Sequence, residues 1–279
     1  MLSKNTFSNA LKDPRNIQIL WLSSFLLTGI ICLDWLANVS YYFFVFISAL
    51  SVQILFIRVN HLPWSALKSA VITSLGLCLL LKVNQPIFGL LAGAVAIGAK
   101  FLVRLNSKHI FNPANLGILV LVLLGEGWIS PGQWGNEGLI VVFIAICGLL
   151  VTMKVGRLDT GLSFLTVLLI AEFLRTVVYQ GWPMDHFLHT FSSGTIFLFA
   201  FFMITDPMTS PNSRKARLIW GAFLALTSFW LSSFMQLYTA PIWALFIWSL
   251  FTPIFDKIFI QPKFKWIWKF VSFQLRCCS

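Results

Sequence analysis

Three short polar stretches interrupt an otherwise apolar chain, and they hold the residue types that bind ligands. The first is Lys108-His109-Ile110-Phe111-Asn112-Pro113-Ala114-Asn115. Asn112 suits a helix N-cap and Pro113 a first helical position. A helix start offers unpaired N–H groups and a positive dipole end, so with Lys108 beside it this stretch suits a phosphate or another anion. It equally suits a plain capped helix start. The second is Gly156-Arg157-Leu158-Asp159-Thr160-Gly161. Arg157 can pair with Asp159, hold a phosphate or carboxylate with both arms, or simply anchor a basic loop at a membrane surface. The third runs from Thr205-Asp206-Pro207 through Thr209 and Ser210 to Arg214, Lys215 and Arg217. Asp206-Pro207 stops a helix, because proline lacks an N–H and biases the residue before it away from helix. Asp206 can cap a turn, accept from Arg217 or bind a cofactor hydroxyl. Lys108, His109, Asn112, Asn115, Arg157, Asp159, Asp206, Thr209 and Arg217 are therefore the candidate cofactor-binding residues.

Glu172 and Arg175 stand one turn apart inside an apolar run, where ionisable groups are costly and often functional. They are read as an ion pathway, against the simpler alternative of a neutralising pair. Asp185, His186 and His189 cluster but lack the further ligands of a metal centre, so no metal site is expected. Ser192, Ser193, Gly194 and Thr195 are small residues of the kind that let helices pack closely. No nucleophile elbow, P-loop, His-Glu-x-x-His or paired-cysteine motif occurs, and no catalytic residue is assigned.

These stretches must be positioned by membrane helices. Of 279 residues, 58% are hydrophobic and 10% charged, with a mean hydropathy of +0.85. A soluble domain carries about 25% charged residues. Ten apolar spans are read, at about 17–33, 40–57, 66–81, 86–103, 114–125, 138–153, 161–178, 186–204, 218–235 and 240–259. With ten spans, 18 of the 20 Lys and Arg fall on the side of both termini, leaving Lys82 and Arg175 on the other. Basic loops lie inside, so both termini are cytoplasmic. The expected fold is an all-α membrane protein of about ten transmembrane helices, with a cytoplasmic segment 1–16, a polytopic domain 17–260 and a basic cytoplasmic tail 261–279. Ten spans also divide into two inverted five-helix halves. The polar first 16 residues argue against a cleaved signal peptide. The net charge of +11 reflects basic loops beside anionic lipid, and no aromatic-interleaved basic cluster supports nucleic-acid binding. The five cysteines form no metal or disulfide pattern, and Cys277-Cys278 near the C-terminus read as free thiols.

Lys108–Gly117, Gly156–Phe164 and Phe201–Gly221 resemble the corresponding stretches of RnfD and NqrB, together with short family members outside the standard complexes, some associated with enediyne biosynthesis. RnfD and NqrB are membrane subunits of Rnf-type ferredoxin:NAD oxidoreductases and sodium-pumping NADH:quinone reductases. The resemblance implies ten helices in two inverted halves, flavin cofactors, partner redox subunits in a bacterial plasma (inner) membrane, and electron transfer coupled to Na⁺ or H⁺ movement. Members of the full complexes carry flavin on a threonine in a motif close to Asp-x-x-Ser-Gly-Ala-Thr after span five. Here the loop 125–137, GEGWISPGQWGNE, contains no threonine. Covalent FMN is therefore not expected; noncovalent FMN or riboflavin is the form left open, and no motif in the sequence shows it. The alternatives are a non-redox transporter or channel on the same scaffold, and a membrane protein of a specialised biosynthetic pathway.

Overall fold

A computed structural model describes residues 13–35, 39–105, 108–134, 138–191 and 193–264. Most of the two terminal segments, and Cys277-Cys278 with them, therefore lie outside the described residues. The chain is helical: α1 (Pro14–Cys32), α2 (Val39–Val59), α3 (Leu67–Leu80), α4 (Phe88–Leu102), α5 (Pro113–Leu123), α6 (Gly138–Val155), α7 (Leu158–Phe173, continued by a π-helical Leu174–Tyr179), α8 (Met184–Thr190), α9 (Gly194–Leu198, continued by a π-helical Phe199–Met203), α10 (Arg214–Ser233) and α11 (Ala240–Ile258). Among the described residues, α1, α2, α6, Leu158–Tyr179 and α11 are long and apolar enough to cross a membrane, and shorter apolar helices lie between them. Large side chains such as Leu27, Ile31, Phe43, Leu139 and Leu150 stand outward and exposed. A surface of that kind suits lipid and not water, so the chain is an all-α membrane protein.

The helix ends follow the polar punctuation. Asp13 accepts from the Arg15 N–H at 3.0 Å and caps α1, with Pro14 in its first turn. Asn112 accepts from the Asn115 N–H at 3.1 Å and caps α5, with Pro113 next. The run read as one span over 186–204 is two helices, α8 and α9. The Ser193 hydroxyl accepts from the Thr195 N–H and restarts the helix there. The Trp134 indole donates to the Thr195 hydroxyl, and a side chain at Gly194 would collide with the Trp134 ring.

Two short antiparallel ribbons tie loops together, β1 (Leu81–Val83) with β4 (Gly127–Ile129) and β2 (Arg104–Leu105) with β3 (Lys108–His109). The helix pairings repeat. In the first half α1 packs on α3, α2 on α4 and α4 on α5; in the second α6 packs on α9, α7 on α10 and α10 on α11. Across the middle, α1 meets α6 and α5 meets α11.

Glycines allow the closest approaches. A Cβ on Gly93 would lie 2.8 Å from the Val45 carbonyl and 3.0 Å from the Ala49 nitrogen, both backbone atoms of α2. Gly98, on the same helix, faces open space. Gly93→Ala will destabilise the protein by about 1–3 kcal/mol, because α2 and α4 must separate. Gly98→Ala will be neutral to slightly stabilising, since alanine is the better helix former. Thermal unfolding of the two variants in detergent separates them.

Candidate functional site

The turn 206–213 is the hub that brings the three polar stretches together. It starts where the Met208 N–H donates to Asp206 Oδ1 at 3.0 Å, while the Ser210 hydroxyl and N–H both donate to the Asp206 carbonyl. Three cations then hold three successive carbonyls of the turn. Lys108 Nζ donates to Ser210 O at 3.1 Å, Arg157 Nη1 to Pro211 O at 2.6 Å and Arg217 Nη1 to Asn212 O at 2.7 Å. Each cation is paired or enclosed. Lys108 meets Asp256 at 3.0 Å, and Asp256 also accepts the Asn212 N–H at 2.8 Å. Arg217 grips Asp159 with Nε and Nη2, the shortest contact being 2.6 Å. Arg157 is 3% exposed and lies beside the ring of Phe264.

Arg157 therefore neither pairs directly with Asp159 nor offers both arms to an anion; Arg217 takes the carboxylate and the Pro211 carbonyl takes Arg157. Burial, and then the nearby Arg217, pull the Arg157 guanidinium down to about 10. Burial also draws Lys108 below the ordinary lysine range, with Asp256 offsetting part of it. Thr209 is buried, and its carbonyl accepts from the Thr252 hydroxyl at 3.1 Å. Asn115 is buried too and donates to Ile242 O at 3.1 Å.

His109, Asn112 and Asp206 instead reach a cavity of about 260 Å³ between α1, α3, α4, the start of α5 and the end of α9. Its walls are mainly apolar, with Leu22, Ile72, Leu79 and Phe202 among them. Lys100, Arg15 and Arg104 stand at its polar end. Asn112 is oriented by donating to Met203 O at 3.0 Å while capping α5. His109 Nε2 lies 3.5 Å from Asp206 Oδ2 and makes no hydrogen bond. Burial pushes the Asp206 carboxyl up. His109, the Met208 N–H and Lys100 outweigh it and hold the carboxyl below its usual range. The cavity thus presents a carboxylate and a buried imidazole nitrogen with unused hydrogen-bonding capacity.

Lys100 and Asp256 were missed from the sequence. Lys100 Nζ donates to Gln53 Oε1 at 3.1 Å and to Ser69 Oγ at 2.6 Å, so it is held inside the first half. Lys100 is a single ionic residue in an apolar run, and Asp256 stands beside Lys257 at the end of one; that is the only signal available.

Glu172 and Arg175 do not form the neutralising pair. Arg175 donates to the Ser233 carbonyl at 3.1 Å and lies near the Phe234 ring. Glu172 is 9% exposed and lines a separate cavity of about 170 Å³ between α7, α9, α10 and the start of α11. Leu80 lines both this cavity and the one at Asp206. Among the described residues, no group of three His, Cys, Asp or Glu is placed to hold a metal, and Asp185, His186 and His189 make none.

Residues 123–265 match the family described as NQR2, RnfD, RnfE, a stretch that includes the second half of the fold and the whole 206–213 turn. The chain is similar to the D subunit of the ion-translocating oxidoreductase complex of Shewanella frigidimarina, at 26% identity over 140 residues, covering 50% of this chain and 37% of the relative. The same component from Salmonella arizonae is 30% identical over 142 residues, covering 51% and 38%. Its counterpart from Escherichia coli strain K12 is 30% identical over 151 residues, again covering 51% and 38%. The matched stretches thus span under half the length of these curated relatives.

Proposed function

Since the chain belongs to the NQR2, RnfD, RnfE family, we propose that it is a multi-pass membrane subunit of an ion-translocating electron-transport complex, bearing noncovalent flavin in the cavity at Asp206. The cavity carries this reading. Its apolar walls suit a fused-ring ligand, and its volume of about 260 Å³ lies just below the usual range of small-molecule sites. Asp206 Oδ2 suits a ligand N–H or hydroxyl, and His109 and Asn112 flank it on the same side. A bound flavin supplies one- and two-electron carriage. The protein's part is to bind the ring, exclude water from it and hold a fixed carboxylate beside it. The 206–213 turn keeps that carboxylate in place through the three cation–carbonyl contacts.

The ten-span topology supports the same reading. Repeated helix pairings fit two halves of five helices, and the distribution of Lys and Arg fits an inverted relation with both termini cytoplasmic. The Asp206 cavity then opens toward the cytoplasm and the Glu172 cavity toward the opposite face of a bacterial plasma membrane, with Leu80 between them. Other membrane redox subunits are the expected partners. The loop 125–137 offers no threonine for covalent attachment of FMN.

A non-redox transporter is the reading favoured by the two cavities taken without the family. A visible spectrum of detergent-purified protein, before and after acid precipitation, separates the readings. Yellow colour released to the supernatant is the expected result. Colour retained in the pellet would mean covalent flavin, and a colourless folded protein would favour the transporter.

A further inference from the structure

The imidazole of His109 stands between two cavities. One is the Asp206 cavity of about 260 Å³. The other, of about 160 Å³, lies between β3, the 206–213 turn and the end of α11. Asn212, Ser249, Thr252 and Asp256 give this second cavity polar walls. Leu105, Gln261 and Lys263 also line it and are exposed, so it reaches the surface. A space of that size and polarity has room for several waters.

Among the described residues, His109 and Met208 alone line both cavities. A thioether has no proton to give, whereas an imidazole takes up and releases one near neutral pH. His109 is 8% exposed, and its Nε2 makes no hydrogen bond. A buried polar atom left unpaired calls for a role beyond packing. The charged groups around the ring come from both sides. Lys108 precedes it on β3, and Arg104 stands opposite it in the β2–β3 ribbon. Asp206, Lys100 and Arg15 face it from the first cavity, and Asp256 and Lys263 from the second. Asp256 is already engaged by Lys108 and by the Asn212 N–H. Asp206 Oδ2, 3.5 Å from Nε2, is the carboxylate oxygen that a proton on that nitrogen would face.

We propose that His109 is the proton donor and acceptor for the ligand of the Asp206 cavity, resupplied from water in the second cavity. A flavin that receives two electrons takes up protons with them and returns them on reoxidation. On reduction the Nε2–H bond of the protonated ring breaks as its proton passes to the ligand. The neutral ring then takes a proton from water in the second cavity, and the medium restores that water. The electrons come from a partner redox subunit, and none passes through His109. On reoxidation the same steps run backwards. A ring seated in the Asp206 cavity leaves this route open, because the second cavity has its own path to the surface. The inference rests on the flavin reading and deepens it: the proton serves reduction of the ligand and does not cross the membrane.

The test uses the full chain in detergent, loaded with FMN and freed of the excess. Reduced methyl viologen supplies electrons and no protons, and an indicator dye in weak buffer follows proton uptake beside the flavin absorbance. In the parent protein uptake will keep pace with bleaching. His109→Ala will take up protons about a hundredfold more slowly per bound FMN, the contribution expected of a positioned acid or base. Free imidazole will restore the rate in that variant and leave the parent unchanged, a response that a merely structural role would not give. His109→Gln will be slow too, and it carries the test if the alanine variant fails to fold. Ser249→Leu narrows the second cavity from a residue that does not line the first, and it will slow uptake at unchanged FMN content. A further readout needs no flavin. In FMN-free protein with carbon-13-labelled histidine, the resonance that His109→Gln removes will move with the pH of the medium, across the range in which imidazoles change charge. Parent-rate uptake in both His109 variants, or a His109 resonance indifferent to the pH of the medium, overturns the proposal and leaves the flavin reading standing. A folded parent protein that binds no FMN overturns both.

Discussion

Arg217→Met will destabilise the protein by about 3–5 kcal/mol, the usual consequence of stranding one member of a buried ion pair. Asp159 and Arg217 are each about 10% exposed at the side chain, and Arg217 binds the carboxylate with two nitrogens. Once Arg217 is gone, the nearest cation to Asp159 is Arg214, 4.0 Å away and 80% exposed. A charge so well solvated compensates little. The Asn212 carbonyl also loses its donor, so the 206–213 turn is loosened at one of its three anchors. Arg214→Ala will change stability by less than about 0.5 kcal/mol. The double variant Asp159→Asn with Arg217→Met will recover part of the loss, because no unpaired carboxylate remains. Thermal unfolding of all four proteins in one detergent measures this. Equal losses for Arg214→Ala and Arg217→Met would show that the fork to Asp159 contributes nothing of its own.

That contrast marks where sequence reading stopped. The three polar stretches were legible as one region because proline, capping residues and cations in apolar surroundings are strong punctuation. Their division of labour was not legible. A cation in a loop looks the same in sequence whether it neutralises carbonyls of a turn or waits for a phosphate. Arg157 and Arg217 do the former. The partner of Lys108 was hidden by distance, since Asp256 lies 148 residues away on α11. The apolar helices were legible nearly one for one, with the exception of 186–204, and five of them, counting Leu158–Tyr179 as one, are long and apolar enough to cross a membrane. Within 186–204, Thr190 and Ser192 to Thr195 mark the break in sequence, but small polar residues of that kind also suit close helix packing, and the Ser193 cap starts α9. The recurring pairing pattern was barely visible in sequence, because helices with matching pairings such as α4 and α10 do not share side chains.

Asp206→Asn will lower bound flavin about tenfold or more while leaving the melting temperature of flavin-free protein nearly unchanged. The separation of effects follows from the two carboxylate oxygens. Oδ1 accepts the Met208 N–H and makes the turn, a task that asparagine can take over. Oδ2 faces His109 at 3.5 Å beside the cavity and is the oxygen left to accept from a ligand. Replacing it removes a charged hydrogen bond, about 1.5–3 kcal/mol, which corresponds to a loss in affinity of about tenfold to a hundredfold. His109→Gln will weaken flavin binding less, since a neutral donor remains within reach of the same cavity. Flavin released by acid, divided by protein, is the measurement for each variant. Full flavin content in Asp206→Asn would reduce Asp206 to a helix stop and move the site elsewhere. Thr252→Val is the control for the hub: it removes the hydroxyl that donates to Thr209 O, and neither residue lines the Asp206 cavity, so flavin content should stay at the parent value.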